Sequence, residues 1–220
     1  HAAQRTRQGS AALSAKGGPT WLWYLMLSSC ALTDKQPALN VSYYSLSPPP
    51  FTSEPPTPSA SAPGSDLRSL RVTRVKASSH LNKKLYFRSS SVEGGYYENR
   101  RWTEKPTELV HRELDRALFE QGRFSEQLAG DALVLEVEVL AFEEVRDGAS
   151  RHALIELRYQ LQDASKVLLA QTIRVERAAK SPAAEEVVKA LSLALEEACQ
   201  ALAVRLSAAP EPGQVADDQP

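Results

Sequence analysis

The sequence has few of the residues that most often build reactive sites. Its 220 residues include two cysteines, one methionine and four histidines. Two cysteines are too few for a disulfide-stapled scaffold, whose small core is replaced by several bridges. His1, His80, His111 and His152 are scattered, and no two have the spacing of a zincin or a zinc finger. The chain has no G-x-S-x-G, no phosphate-cradling glycine loop and no H-E-x-x-H. The reading is therefore non-enzymatic, with no catalytic residue, no metal and no cofactor. Formal net charge is -1, without the basic excess expected of a nucleic-acid binder. Long apolar runs are also missing. The longest, Trp21 to Leu27, falls well short of the ~20 residues needed to span a bilayer as a helix.

One further absence is local. No acidic residue precedes Asp34, whereas Arg5, Arg7 and Lys16 are basic. A basic, acid-free leader followed by a short apolar run and small residues is the pattern of an export signal. The run "WLWYLMLSSC" ends in Leu27-Ser28-Ser29-Cys30, which resembles a bacterial lipobox. In that motif small residues let the extended chain enter the peptidase, and the cysteine thiol then receives a diacylglycerol. On this reading residues 1–29 are a lipoprotein signal peptide, and Cys30 is the lipidation site. Cys199 is then a lone thiol on a helical pattern, expected to be buried. Ala31, where aspartate signals inner-membrane retention in Gram-negative lipoproteins, favours the periplasmic face of the outer membrane.

Residues 30–66 are read as the lipidated N-terminus, a short strand at Val41 to Leu46, and a loop or linker holding seven prolines between Ser47 and Asp66. The body is set at 67–208. Leu67 to Lys76, Lys83 to Ser90 and Tyr96 to Trp102 read as extended. A helix follows, with Thr103 as cap, Pro106 in its first turn, and Leu109, Val110, Leu114, Ala117, Leu118 and Gln121 on one face. Three strands then alternate cleanly. Leu133, Leu135, Val137 and Val139 face inward on the first, Ile155, Leu157, Tyr159 and Leu161 on the second, and Val167, Leu169, Ile173 and Val175 on the third. A last helix, with Ser181 as cap and Pro182 in the first turn, carries Val187, Val188, Leu191, Leu195, Ala198, Leu202 and Leu206. Residues 209–220 have no periodicity and read as a disordered tail. The expected fold is α+β in two layers, a mostly antiparallel sheet with two helices packed on one face.

Chemistry other than packing concentrates near the second strand and the first helix. Tyr86, Phe87, Tyr96, Tyr97 and Trp102 are interleaved with Arg88, Arg100 and Arg101. Tyr, Trp and Arg dominate protein interfaces because they bury large areas and keep polar tips. Tyr97, Arg100, Arg101 and Trp102 are therefore partner-surface candidates, with a place at the core edge as the competing role for Trp102. Glu136 and Glu138 read as a wetted strand face.

At these residues the chain resembles the ABC-type transport auxiliary lipoprotein family of PqiC-like proteins. The resemblance rests on "YYSL" (Tyr43 to Leu46), the proline-rich stretch, "HLNKKLYFRS" (His80 to Ser89), and Tyr97 followed by Arg101, Trp102 and Pro106. The sequence departs from the pattern at His80, where an aromatic is common, at Phe87 before Arg88, and in its longer proline-rich loop. The resemblance implies a lipid-anchored periplasmic accessory component of a Mce- or Mla-type lipid transport system. Its partners would be the Mce-domain and transporter components, with membrane contact through the anchor, no nucleic acid, and a homo-oligomer left open. The alternative is another envelope lipoprotein that assembles or activates a periplasmic complex.

Overall fold

The computed structural model describes residues 40–46 and 67–210. The leader, Cys30, the proline-rich stretch 47–66 and the tail from 211 lie outside the described residues. All the described residues belong to one compact unit within Asn40–Pro220.

In chain order the strands are β1 (Ser42–Tyr44), β2 (Ser69–Val72), β3 (Lys76–Ala77), β4 (Lys84–Arg88), β5 (Gly94–Trp102), β6 (Ser125–Glu126), β7 (Leu133–Asp147), β8 (Ser150–Gln162) and β9 (Val167–Ala178). Helix α1 (Pro106–Asp115) runs on into a π-helical turn, Arg116–Glu120, and α2 (Ala184–Ser207) follows β9. All described strands belong to one sheet. Its dominant part is the β7–β8–β9 meander, paired antiparallel along nearly its whole length. The inward residues expected on β7 and β8 are buried, as are Ile173 and Val175 on β9. Both helices cover this face, with Leu109, Val110, Leu114, Leu191, Leu195 and Leu202 in the same core. The α+β expectation of a sheet with two helices on one face holds.

Four sequence expectations change. Thr103 does not cap α1; the N-cap is Lys105, with Pro106 in the first turn and no side-chain cap bond. Ser181 and Pro182 stand outside α2, which begins at Ala184 behind Ala183; the Ser181 hydroxyl accepts the Ala183 N–H at 3.3 Å instead. Gln121 is exposed, because the π turn shifts the face that α1 would have continued and Gly122 then leaves with φ +68°. Val167 is 49% exposed, because a register shift after the Leu161–Leu169 pair sets it beside the outward-facing Gln162.

The segment expected as one strand at Leu67 to Lys76 is broken into β2 and β3. Together with β4 these form an interrupted line along one edge of β7. Leu70 to Val72 pair with Leu133 to Leu135, Lys76 and Ala77 with Glu138 and Val139, and Phe87 and Arg88 with Glu144 and Val145, all in parallel. Parallel pairs need a long crossover, here supplied by β5, α1 and the π turn. The sheet is therefore mixed: its long ladders are antiparallel and its N-terminal attachments parallel.

Two polar details close the body. The Arg68 guanidinium donates to the carbonyls of Leu206, Ala209 and Pro210 at 3.3, 3.1 and 3.4 Å. These are carbonyls at and beyond the end of α2, so the cation both satisfies orphan acceptors and meets the negative end of the helix. Ala209 is buried, so packing continues one residue past the boundary expected at 208. Cys199 is free and fully buried in α2; burial pushes its thiol well above the ordinary range, which leaves it a small apolar residue without thiolate character.

Candidate functional site

The aromatic and arginine residues singled out from the sequence meet at one end of the sheet, and two glutamates hold them there. The local cause is a β-bulge in β7. Val139 pairs with Leu157 but Ala141 pairs with Glu156, which leaves Leu140 as the extra residue. A one-residue insertion reverses which side chains face the helices. After the bulge Phe142 and Glu144 lie on the helix face, opposite Ile155 and Ala153, and Glu143 lies on the other face, opposite Leu154. Both glutamates are buried, Glu143 at 0% and Glu144 at 2% exposure.

A buried carboxylate must be paired. Arg88 serves Glu143 in bidentate fashion, with Nε at 2.6 Å from Oε1 and Nη2 at 3.2 Å from Oε2. Parallel register makes this possible, because Arg88 sits beside Val145 on the strand next to β7. On the opposite face Glu144 accepts the Tyr97 hydroxyl at 2.6 Å. It also pairs with Nε of Arg146 and Nε of Arg151, each at 3.1 Å. The Arg146 guanidinium in turn lies over the Phe87 ring at 3.4 Å, and Arg100 lies over Tyr97 at 4.1 Å. Phe87 and Tyr97 meet edge-on at 5.3 Å. The result is an alternating stack of Arg100, Tyr97, Phe87 and Arg146, keyed to Glu144. Cation–π contacts of this kind contribute about 0.5–2 kcal/mol each, more as they lose water.

The four partner-surface candidates separate into different roles. Trp102 is 1% exposed and packs edge-on against Phe142 at 5.3 Å, so it fills the core and offers no surface. Arg101 turns back on its own strand and donates to the carbonyls of Tyr97, Glu98 and Arg100. It thereby satisfies the stretch where β5 departs from regular pairing with β4, between the Lys84–Arg101 and Tyr86–Tyr96 pairs. Tyr97 is half-buried, and Arg100, which lies over its ring, has no carboxylate partner among the described residues. Cys30 lies outside the described residues.

Sequence reading missed Glu143 and Glu144. The available signal was parity: two adjacent glutamates at the apolar end of a long strand cannot both face water.

Burial is the main cause that raises the Tyr97 pKa, and its hydrogen bond to Glu144 adds to this. A tyrosine held neutral by the fold contributes fully below its unfolded pKa of about 10, and that contribution is lost as pH climbs through the higher folded value. Tyr97→Phe is expected to cost about 1–2 kcal/mol at neutral pH. Between about pH 9 and about pH 11 it should also lose less stability than the parent protein. Denaturant melts at both pH values check this, and equal alkaline losses would remove Tyr97 as the titrating group.

The histidines stay apart. His111 Nδ1 is 2.9 Å from Asp115, His152 Nδ1 is 3.4 Å from Glu176, and His80 packs on Tyr86 at 4.8 Å. Among the described residues no group of three or more His, Cys, Asp or Glu is placed to hold a metal ion, and no helix is long and apolar enough to cross a membrane.

Fold and cluster together define an α+β scaffold that holds an arginine–aromatic stack at one end of its sheet. The chain belongs to the family of ABC-type transport auxiliary lipoprotein components, whose model matches residues 44–203. No curated protein matched the chain. Among solved structures it is similar to protein XCC0632 of Xanthomonas campestris, at 22% identity and TM-score 0.60 over 73% of this chain and 92% of that one. An uncharacterised protein is similar at 18% identity and TM-score 0.58, over 76% of this chain and 99% of that one. At these identities the likeness speaks for the fold.

Proposed function

We propose that the chain is a non-enzymatic accessory subunit of an ABC-type system of the Mce or Mla kind that moves lipid between membranes. On this reading residues 1–29 direct export, an acylated Cys30 holds the protein at the periplasmic face of the outer membrane, and the residues from Cys30 to Asn40 link the anchor to β1 of the body. Two acyl groups or more would hold it firmly, where one chain gives only marginal binding. Partner contact falls to Arg100, displayed on the Tyr97 ring. The observation that carries the reading is the family match, which spans most of the described body. The lipobox-like "LSSC" behind a basic, acid-free leader supports the anchor.

Expressed with its leader, the protein should stay with membranes through a wash at about 0.5 M salt, which screens surface electrostatics. Cys30→Ala should be released by that wash, and retention of this variant would sink the anchor. Affinity capture from envelope extracts should bring down a Mce-domain protein or its transporter, with recovery cut about tenfold or more by Arg100→Glu. Capture that recovers neither would overturn the transport role.

A further inference from the structure

From Leu67 to Val92 the chain contains no acidic residue, although Arg68, Arg71, Arg74, Lys76, Lys83, Lys84 and Arg88 all fall within it. This is the segment that β2, β3 and β4 lay along β7, from the level of Leu133 to that of Val145. Its cations therefore form a line roughly 40 Å long at ~3.3 Å per residue. Strand alternation sorts their directions. Leu70, Val75, Leu81 and Leu85 are buried toward the helices, while Arg74, Lys76 and Lys84 are exposed.

Most arginines elsewhere on the sheet have a carboxylate: Arg146, Arg151, Arg158, Arg174 and Arg177 each pair with a glutamate. Arg71, Arg74, Lys76 and Lys84 have no carboxylate within 4.0 Å among the described residues. Glu138, which stands beside Lys76 in the register, is engaged by Arg158 at 3.3 Å. Arg74, Lys76 and Arg158 line a shallow groove of about 350 Å³ on the face away from the helices, together with Glu136 and the Arg158-paired Glu138. Further along the same face, Tyr86 and Tyr96 meet edge-on at 5.3 Å, with Lys84 5.8 Å from the Tyr96 ring. Tyr96 is 38% exposed. A line of lysine and arginine flanked by half-exposed tyrosines is the chemistry that contacts a phospholipid headgroup layer.

Chain length favours a membrane over an acidic protein as the occupant. If Cys30 is acylated, as the proposed function holds, nine residues lie between it and Asn40, and the ten peptide steps span at most about 35 Å. The chain then enters β1, which pairs with β5, and β5 with β4. Tyr43, Arg101 and Lys84 follow one another across the strands, so β1 lies about 10 Å from β4. We infer that this acid-free stripe is a contact surface for anionic phospholipid, which seats the non-helical face of the sheet on the membrane that carries the anchor.

The stripe can be tested without the anchor. The chain from residue 30 onward, with Cys30→Ala, avoids the apolar leader run and keeps the whole compact unit Asn40–Pro220. It is floated with vesicles of phosphatidylcholine alone and with vesicles containing about 30% phosphatidylglycerol, a fraction that sets a strongly negative surface potential. Binding is expected only to the anionic vesicles, and should fall about tenfold or more as salt rises from about 0.05 to about 0.5 M. Arg74→Glu/Lys76→Glu should abolish it, while Arg123→Glu/Lys180→Glu, with the same change in net charge, should leave most of it. Circular dichroism melts confirm that both variants fold. Equal binding to neutral vesicles, equal loss in both variants, or no binding at all would overturn the stripe. Failure of the anchor alone would appear in the Cys30→Ala fractionation and leave the vesicle result unchanged.

Discussion

Arg88→Met is expected to destabilise the protein by about 3–5 kcal/mol, because it strands the fully buried Glu143 without its bidentate partner. The reverse change should cost less. In Glu143→Gln the arginine, with 36% of its side chain exposed, can turn toward water, and a loss of about 1–2 kcal/mol is expected. The asymmetry follows from the two exposures: the penalty belongs to whichever charge cannot reach solvent. Removing both charges with apolar groups, as in Arg88→Met/Glu143→Leu, should recover much of the loss, since a buried ion pair is often replaceable by packing. Urea denaturation of the three variants checks this. A double variant no better than Arg88→Met would show that the pair does more than satisfy itself.

Trp102→Ala should cost about 3–5 kcal/mol, the range for deleting a large buried aromatic. Trp102 is 1% exposed at the end of β5, and its ring stands at 86° to that of Phe142. Trp102→Phe keeps the edge-on contact at smaller volume and should cost about half as much. Partner capture by the folded Trp102→Phe protein should match the parent, because the indole does not reach the surface. Thermal melts paired with capture separate the two roles that the sequence leaves open for this residue. A stable Trp102→Phe variant that lost its partners would return Trp102 to the interface.

The parts of the fold that could be read from the sequence are those where one periodicity runs unbroken. Leu133 to Val139, Ile155 to Leu161 and Val187 to Leu206 each keep one period from end to end, and burial follows it. Legibility fails where the period is interrupted. The bulge at Leu140 reverses β7 within the strand, and no turn residue marks it, so Glu143 and Glu144 resemble the wetted Glu136 and Glu138 in composition while their surroundings are opposite. Helix starts were misplaced by two residues or so because Thr103 and Ser181 are good caps by type. Tertiary packing begins the helices at Pro106 and Ala184 instead. Arg68 could not be assigned at all, since its partners lie some 140 residues away. In the candidate site the residue types were visible but not their division of labour. Tyr97, Arg100, Arg101 and Trp102 are near neighbours, yet one strand sends them to a carboxylate, a ring, the backbone and the core.

The parallel line of β2, β3 and β4 along β7 also sets the order in which the molecule can assemble. The β7–β8 and β8–β9 turns close over a few residues, so that meander and the helix behind it form from local contacts at small entropic cost. The strands laid against the other edge of β7 are separated from it by β5, α1 and the π turn, and although β4 and β5 form a hairpin of their own, none of the three is joined to β7 by one. Until β7 has been synthesised, Leu70 and Val72 of β2 and Ala77 of β3 have no sheet edge to pack beside. Apart from the β4–β5 hairpin, the part of the body that is translated first is therefore the part that docks last.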